Sequence, residues 1–135
     1  MAANEHSDTD HADRGRAVRH RLFGEASDEG FAKNASAAIA PDLNRMTDEI
    51  LFGQVWTRPG LELPLRSLVT IAALMAMGKD AQVRFHIRGG LRAGLTREQI
   101  TEAIIHLAYY AGWPAAVNAM EAARQAFADV DAESG

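Results

Sequence analysis

Arg66 opens a run of residues that is otherwise almost entirely apolar, LRSLVTIAALMAMG over residues 65–78. In a helix, Arg66 and Thr70 share a face, and the cation lies in the first turn, where the helix dipole disfavours positive charge. Burial would disfavour an unpaired cation far more strongly. We therefore expect an anion beside Arg66. It is either a carboxylate, such as that of Glu62 or one from a neighbouring subunit, or an anionic group of a substrate.

A second titratable side chain, His86, lies in the segment DAQVRFHIRGGLRAG at residues 80–94. At helical spacing its stripe holds small residues one turn away, which leave room beside the imidazole for another helix or for a small ligand. His86 is thus either a structural histidine or a site residue. The other members of its stripe are Gln82, Gly89, Gly90 and Ala93. A basic stripe on the same helix is predicted to be a solvated face and comprises Arg84, Arg88 and Arg92.

A third group of titratable residues follows in the segment TREQITEAIIHLAYYAG at residues 96–112. Glu102, His106 and Tyr110 fall at positions i, i+4 and i+8, so a helix places them along one side. Glu102 could accept a hydrogen bond from one ring nitrogen of His106 and so fix its tautomer. This stripe is either a site or an ordinary exposed helix edge.

Helices must position these side chains, because no segment shows the period-two alternation of a half-buried strand. Pro41 and Pro64 suit the first turn of a helix. Thr96 and Gln99 form a capping-box pattern, and Gly112 ends the helix that this pattern begins. We expect one all-α domain over residues 13–129, between polar, loosely held or disordered tails at 1–12 and 130–135. The predicted helices span residues 12–23, 28–39, 41–53, 64–77, 80–93, 97–111 and 114–129.

Composition and charge argue against several classes of function. The 135 residues carry a formal net charge of −4, which argues against non-specific nucleic-acid binding, and the chain has no cysteine for disulfides, thiolate metal sites or thiol catalysis. No apolar run reaches the roughly 18–20 residues of a membrane span, and the polar N-terminus is unlike a signal peptide. We predict a cytoplasmic protein that does not associate with membranes. Hydrophobic residues make up 47% of this small chain, which predicts a homo-oligomer, either a hexamer or a trimer.

Four segments together resemble the carboxymuconolactone decarboxylase family, namely FGQVWTRPGL, LRSLVTIAALMAMG, FHIRGGLRAGLT and IIHLAYYAGWPAAVNAM. Their spacing agrees as well as their content. With the weaker segment RGRAVRHRLFG, the resemblance runs from about residue 14 to residue 128. An alkylhydroperoxidase D-like branch of the wider superfamily carries the pattern C-x-x-C-x-x-x-H. The same frame here reads Lys79, Gln82 and His86, so thiol peroxidase chemistry is not available.

The resemblance implies an oligomeric, single-domain helical bundle with sites close to subunit contacts. It implies a reaction that needs no metal and no organic cofactor. That reaction is the decarboxylation of a small anionic lactone, either 4-carboxymuconolactone, which gives 3-oxoadipate enol-lactone in the β-ketoadipate pathway of aromatic compound catabolism, or a related lactone. Such an enzyme must hold two carboxylates, stabilise a dienolate oxyanion and deliver one proton.

Matched to these needs, the resemblance implies that Arg66, His86 and His106 are catalytic. Arg66 would bind a carboxylate or the oxyanion, and His86 would donate the proton. His106, steadied by Glu102, would add a polar contact or relay the proton together with Tyr110. Trp56 would form a wall of the pocket and Arg58 would bind the second carboxylate. The substrate-binding residues implied in this way are Trp56, Arg58, Gln82, Glu102 and Tyr110.

Glutamine stands at three positions where the family usually has glutamate: Gln54, Gln82 and Gln99. Gln99 is explained as a surface capping residue. Gln82 lies one turn before His86, where a carboxylate would raise the pKa of the histidine and could itself move a proton, whereas an amide does neither. Two alternatives therefore stay open. One is a lactone isomerase or other tailoring enzyme of secondary metabolism with altered chemistry, and the other is a non-catalytic binding or scaffold protein that retains the fold.

Overall fold

The computed structural model describes the backbone of residues 2–134 and the side chains of residues 7–134. This part of the chain is helical and has no strand, so the all-α prediction is confirmed. The chain divides into two compact units, the first ending at Leu61 and the second beginning at Glu62. No helix of the described part is long and apolar enough to cross a membrane.

The first unit begins with a helix that is longer than the sequence predicted. It starts at Ala2 rather than at residue 12, so the described part of the predicted tail at 1–12 is helical. The helix predicted over 28–39 is two helices, because the backbone of Asn34 is extended and its side-chain oxygen accepts a hydrogen bond from the N–H of Ala37 at 2.8 Å. This bond caps the second of the two. The elements of this unit are α1 (Ala2–Phe23), α2 (Ser27–Lys33), α3 (Ala35–Ile39), α4 (Pro41–Met46) and a π-helix (Thr47–Val55).

The π-helix begins within residues 41–53, where the sequence predicted one continuous α-helix, and ends two residues beyond them, at Val55. Its wider turn appears in the hydrogen bond from the N–H of Trp56 to the carbonyl oxygen of Leu51, five residues back, at 2.9 Å. The side-chain amide of Gln54 also donates to the carbonyl oxygen of Glu49 at 3.1 Å. Most π-helices are single turns inserted in α-helices. A π-helix of nine residues therefore depends on contacts with the rest of its unit.

Two glycines allow α1 and the π-helix to meet backbone against backbone. A Cβ atom on Gly15 would lie 1.8 Å from the carbonyl oxygen of Asp48, and one on Gly53 would lie 2.2 Å from the carbonyl oxygen of His11. Main-chain atoms cannot rotate out of the way as a flexible side chain does. This close approach therefore requires glycine at both positions.

The second unit contains four helices close to their predicted bounds. The predicted capping box is confirmed: the Thr96 hydroxyl accepts from the N–H of Gln99 at 3.0 Å, and the Gln99 side chain accepts from the N–H of Thr96 at 2.9 Å. Gly94 ends the preceding helix with a φ of +113°, a backbone conformation that residues other than glycine rarely adopt. The helices are α5 (Leu63–Ala76), α6 (Asp80–Ala93), α7 (Arg97–Ala111) and α8 (Trp113–Ser134), of which α8 runs past residue 129 into the predicted C-terminal tail.

The core of the second unit lies where α8 packs on α6 and α7 and where α5 packs on the same two helices. Large aliphatic side chains from α5, α6 and α7 fill it, with Ile71, Val83, Ile87 and Ile104 at most 1% exposed. The buried face of α8 contains only alanine. These small side chains let α8 lie close to its neighbours. They are Ala116, Ala119, Ala122, Ala123 and Ala126.

The sequence predicted that the arginine stripe of α6 is a solvated face. In the structure these arginines form ion pairs with carboxylates of α8. Arg84 donates two hydrogen bonds of 2.8 Å to the carboxylate of Asp129. Arg88 and Arg92 donate to the two carboxylate oxygens of Glu133, at 3.0 and 2.7 Å. These five residues form an ion ladder between α6 and α8. The arginine side chains keep between 31% and 42% of their surface exposed, so the ladder lies at the surface of the unit.

Candidate active site

The residues that the sequence predicted for the site divide between the two units. Trp56 and Arg58 belong to the first unit, just after the π-helix. The others lie on α5, α6 and α7 of the second unit. They are Arg66, Gln82, His86, Glu102, His106 and Tyr110.

Trp56 is held in an aromatic cluster of the first unit. Its indole is 8% exposed and lies 5.6 Å from the ring of Phe52, which in turn meets the ring of Phe23 edge-on at 6.2 Å. Arg58 follows in the turn, where its N–H donates to the carbonyl oxygen of Val55 at 3.2 Å and its side chain is exposed. The first unit thus holds a buried, fixed indole two residues before an exposed cation.

Beside this cluster lies a buried charge network that the sequence analysis missed. Arg19 of α1 is 5% exposed and binds the carboxylate of Asp48 through Nε at 3.0 Å and Nη2 at 3.3 Å. Burial by itself lowers the pKa of the guanidinium, but hydrogen bonds to Asp48 and Asp28 raise it by more, so Arg19 is charged. Helical spacing places Arg19 on a face with Gly15 and Phe23 but also with the exposed Arg16, so no local signal in the sequence identified Arg19 as buried.

Arg66 lies in the first turn of α5. Its N–H donates to the carbonyl oxygen of Glu62 at 3.0 Å, and the hydroxyl of Thr70 donates to the carbonyl oxygen of Arg66 at 2.8 Å. The side chain of Arg66 is partly buried. At this end of a helix the dipole raises the potential further, so an incoming carboxylate is attracted by both the guanidinium and the helix.

His86 lies on α6 with its ring partly buried and edge-on to the ring of Phe85 at 5.6 Å. Burial lowers the pKa of His86 from 6.5 to about 4, because an imidazolium loses solvation in this position. The ring is therefore neutral near pH 7, with one nitrogen that donates and one that accepts a hydrogen bond. Gln82, one turn earlier, is exposed.

The space one turn after His86 is occupied by α5. A Cβ atom on Gly90 would lie 3.4 Å from Cδ1 of Ile71 and 3.5 Å from Cβ of Ser67. The sequence left room beside His86 either for another helix or for a small ligand. At Gly90 the structure places another helix, α5, in this space. The hydroxyl of Ser67 is buried at this crossing and has no hydrogen-bond partner within the described part of the chain.

On α7, His106 stacks on Tyr110 with ring centroids 5.1 Å apart and an interplanar angle of 30°. Both side chains are exposed, Tyr110 to 79%. Among residues 7–134 there is no hydrogen bond from His106 to Glu102. The contact that the sequence suggested for fixing the tautomer of His106 is thus replaced by ring stacking.

Residues 41–125 match the family model of the carboxymuconolactone decarboxylase family. The chain belongs to the carboxymuconolactone decarboxylase family. The match begins at the first residue of α4 and covers the π-helix, α5, α6, α7 and most of α8. The resemblance noted from the sequence motifs is thereby confirmed.

Several proteins of known sequence are similar to this family member over most of their length. The 4-carboxymuconolactone decarboxylase of Acinetobacter baylyi is 36% identical over 116 residues, 86% of each chain. The nitrosuccinic acid decarboxylase of Metarhizium robertsii is 34% identical over 108 residues, 80% of this chain and 75% of its own. An uncharacterized 15.0 kDa protein of Paracoccus denitrificans is 33% identical over 107 residues, 78% of this chain and 80% of its own. The first two names support a decarboxylase of this family.

For a carboxymuconolactone decarboxylase family member, the second unit offers a restricted set of chemical groups. A permanent cation lies at the start of α5, a neutral imidazole lies on α6, and an imidazole stacked on a phenol lies on α7. No cluster of three or more histidine, cysteine, aspartate or glutamate side chains suited to a metal ion occurs among the described residues. These groups can bind an anion and exchange a proton with it.

Proposed function

We propose that this chain catalyses the cofactor-independent decarboxylation of a carboxylated unsaturated lactone, 4-carboxymuconolactone or a related lactone, followed by protonation of the carbanion. The observation that carries the proposal is that two decarboxylases named for different acids share about a third of their residues with this chain. Both acids can lose carbon dioxide to leave a carbanion whose charge moves onto oxygen, into a lactone carbonyl in one and a nitro group in the other. The common requirement is a cation for the oxyanion and a proton for carbon.

The reaction balances with one proton taken from solvent through the enzyme. The bond from the ring carbon to the carboxylate breaks, and its electron pair passes through the double bond into the lactone carbonyl as carbon dioxide leaves. The dienolate so formed is protonated at a ring carbon to give the enol-lactone. Arg66, at the positive end of α5, would bind a substrate carboxylate or this oxyanion, and the charge would act more strongly as negative charge concentrates on oxygen.

The depressed pKa of His86 defines how this residue could supply the proton. With a pKa of about 4, the ring is almost entirely neutral at pH 7 in the free enzyme. A bound dianionic substrate would favour the imidazolium, because a nearby opposite charge raises a histidine pKa. We therefore infer that the substrate and a proton bind together, and that His86 passes this proton to the carbanion.

The other residues of the predicted site would bind and orient the substrate. His106 and Tyr110 form a stacked pair with ring nitrogens and a phenol available for polar contacts or proton relay. Trp56 would exclude water, and Arg58 would bind the second carboxylate. Gln82 would contact the substrate from the face of His86, and Glu102 would act near His106 without holding its ring.

The glutamines at 54 and 82 bear differently on this proposal. The amide of Gln54 donates to a backbone carbonyl oxygen of the π-helix, which an ionised glutamate could not do. Its presence therefore has a structural account and does not argue against decarboxylation. Gln82 is exposed one turn from His86 and has no such account, so it is the position to test.

Steady-state consumption of 4-carboxymuconolactone between pH 5 and 8 tests the proposal. For wild type, kcat/KM should fall about tenfold per pH unit, because it reports the protonated His86 of the free enzyme. Gln82→Glu should move this limb to higher pH and raise activity near pH 7. His86→Gln should lower kcat by roughly 10²–10⁴-fold. Arg66→Ala should weaken binding and slow turnover together, since the charge acts on both the bound substrate and the transition state.

The assay also distinguishes the alternatives that the sequence left open. Lactone consumption without release of carbon dioxide would indicate an isomerase. If wild type consumes no carboxylated or unsaturated lactone and Gln82→Glu recovers none, the chain should be assigned a binding or scaffold role. His106→Gln compares the two histidines, and a larger loss of kcat in His106→Gln than in His86→Gln would contradict the choice of His86 as the proton donor.

We also propose that the chain functions as a homo-oligomer, a hexamer or a trimer. Exposed apolar side chains on α7 and α8, Ile105, Tyr109, Trp113 and Val117, flank a groove of about 260 Å³. A contiguous apolar surface of this kind is typical of protein–protein contacts, and a second copy of the chain is the partner that we propose. Light scattering at micromolar concentration should give a multiple of the monomer mass. A monomer mass would contradict the proposal.

A further inference from the structure

We propose that Arg19 is a positioning residue that acts through Asp48 on the π-helix and thereby fixes the orientation of Trp56 and Arg58. The functional part of this inference rests on the proposed function, which makes Trp56 and Arg58 substrate-binding residues. Arg19 itself would touch no substrate. All of these residues belong to the first unit.

The pair of Arg19 and Asp48 has the geometry of a rigid clamp. Two guanidinium nitrogens contact the two oxygens of one carboxylate, Nε to Oδ1 at 3.0 Å and Nη2 to Oδ2 at 3.3 Å. The two residues are 5% and 8% exposed. A bidentate pair fixes direction as well as distance, and its burial removes the screening by water that weakens surface pairs.

The remaining faces of the Arg19 guanidinium are also occupied. Nη1 donates to the carboxylate of Asp28 at 2.6 Å and to the hydroxyl of Ser27 at 3.2 Å. The carbon of the guanidinium lies 4.2 Å from the centroid of the Phe31 ring. One side chain thus ties α1 to both α2 and the π-helix. A lysine could keep the charge but could not reproduce this fork of hydrogen bonds or the planar contact with the ring.

The clamp acts on a segment whose geometry depends on tertiary contacts. Asp48 is the second residue of the π-helix, and Trp56 directly follows its last residue, Val55. The N–H of Trp56 is bonded within the wide turn to Leu51. If the π-helix relaxed to an α-helix, the rotation per residue about the helix axis would increase. The direction in which Trp56 leaves the helix would then change.

The turn that carries Arg58 is attached to the same segment. The hydroxyl of Thr57 donates to the carbonyl oxygen of Gly53 at 2.7 Å, and the N–H of Arg58 donates to that of Val55 at 3.2 Å. Gly53 is also one of the two points where the π-helix meets the backbone of α1. A shift of the π-helix against α1 would therefore be passed on to Arg58.

The test replaces Arg19 by lysine in a chain whose only tryptophan is Trp56. Trp113, the other tryptophan, is 64% exposed, so Trp113→Phe removes its emission with little effect on the core. Arg45→Lys is the matched control. Arg45 also belongs to the first unit and pairs with Asp42 and Glu49 at 3.1 and 3.3 Å, but its own side chain is 55% exposed. Each variant is measured for urea unfolding, Trp56 emission, acrylamide quenching, KM and kcat on 4-carboxymuconolactone.

Arg19→Lys should remain folded, with Trp56 emission shifted to longer wavelength and quenched more readily by acrylamide than in the control. KM should rise by about three- to tenfold while kcat changes by less than about twofold, because substrate binding is lost rather than the chemical step. Arg45→Lys should change none of these quantities. Asp48→Glu, which moves the carboxylate by one methylene, should give the same pattern as Arg19→Lys.

Two results would overturn the inference. One is a folded Arg19→Lys protein with wild-type Trp56 emission and quenching. The other is a fall in kcat at constant KM in proportion to the unfolded fraction, which is the signature of a stability effect alone. If wild type does not turn over the lactone, the proposed function fails, but the emission and quenching data still decide whether Arg19 holds Trp56.

Discussion

Arginine side chains pair with carboxylates in both units of this chain, but the Arg19 pair and the arginine ladder of α6 differ in burial. In the first unit, Arg19 is buried with Asp48 and bonded on every side. In the second unit, Arg84, Arg88 and Arg92 form a partly exposed ladder over a core of isoleucine and alanine. Arg19 has a structural role because it is desolvated and water cannot replace its partner. Water can replace the partners of the ladder arginines, so those pairs are expected to contribute less to stability.

The largest effect that tests this comparison is expected from Arg19→Ala. The substitution leaves the carboxylate of Asp48 buried without its partner, which costs about 3–5 kcal/mol of unfolding free energy for a buried pair. Urea unfolding followed by Trp56 fluorescence measures the loss, with the exposed Arg45→Ala as control. A loss below about 1 kcal/mol would show that water reaches this pair as readily as it reaches the ladder.

A second effect concerns the close crossing of α1 and the π-helix, which carries the pair of Arg19 and Asp48. Gly53→Ala places a methyl group against the backbone of His11 and Asp48 and should cost about 1–3 kcal/mol through forced backbone shifts. Gly30→Ala is the control. Gly30 lies inside α2 with open space around it, and alanine there should stabilise the helix by about 1 kcal/mol. Equal effects in both variants would argue against the close crossing.

A third effect concerns burial in the second unit, where burial lowers the pKa of His86. Its pKa of about 4 lies below the ordinary 6.5, so between these values the unfolded chain binds a proton that the folded chain does not. The folded state should therefore lose stability as the pH falls from 6.5 toward 4, by about 2 kcal/mol at pH 5 from this residue. Between pH 7 and pH 5, His86→Gln should lose correspondingly less free energy of unfolding than wild type, as measured by urea unfolding.

The smallest effect is expected in the ion ladder. The hydrogen bond from Arg84 lowers the pKa of Asp129 below its ordinary 3.8, so the pair stabilises the fold above that pH and this contribution is lost as the pH falls through the lowered pKa. Asp129→Asn should lower the melting temperature only slightly at pH 7, less so at 1 M salt, and progressively less as the pH falls below the ordinary pKa of 3.8. A loss comparable to that of Arg19→Ala would remove the distinction between the units.

The sequence by itself determined the features that local interactions control. Proline gives the first residue of α4 and of α5 to within one residue, and the capping box and the glycine after it give both ends of α7. At helical spacing Val83, Ile87, Ile100 and Ile104 fall on the apolar faces of α6 and α7, and the structure buries all four. These predictions succeed because capping and periodicity depend on residues fewer than eight positions apart.

Tertiary structure alone decided the features that depend on distant partners. Arg19 and Asp48 lie 29 positions apart and Arg84 and Asp129 lie 45 positions apart, so no local pattern could distinguish the buried arginine from the ladder. The π-helix and α1 meet backbone against backbone at Gly15 and Gly53, whereas the sequence of the π-helix alone is typical of an α-helix. The pKa of His86 follows from burial, which is set by the helices packed around it rather than by its neighbours in the chain.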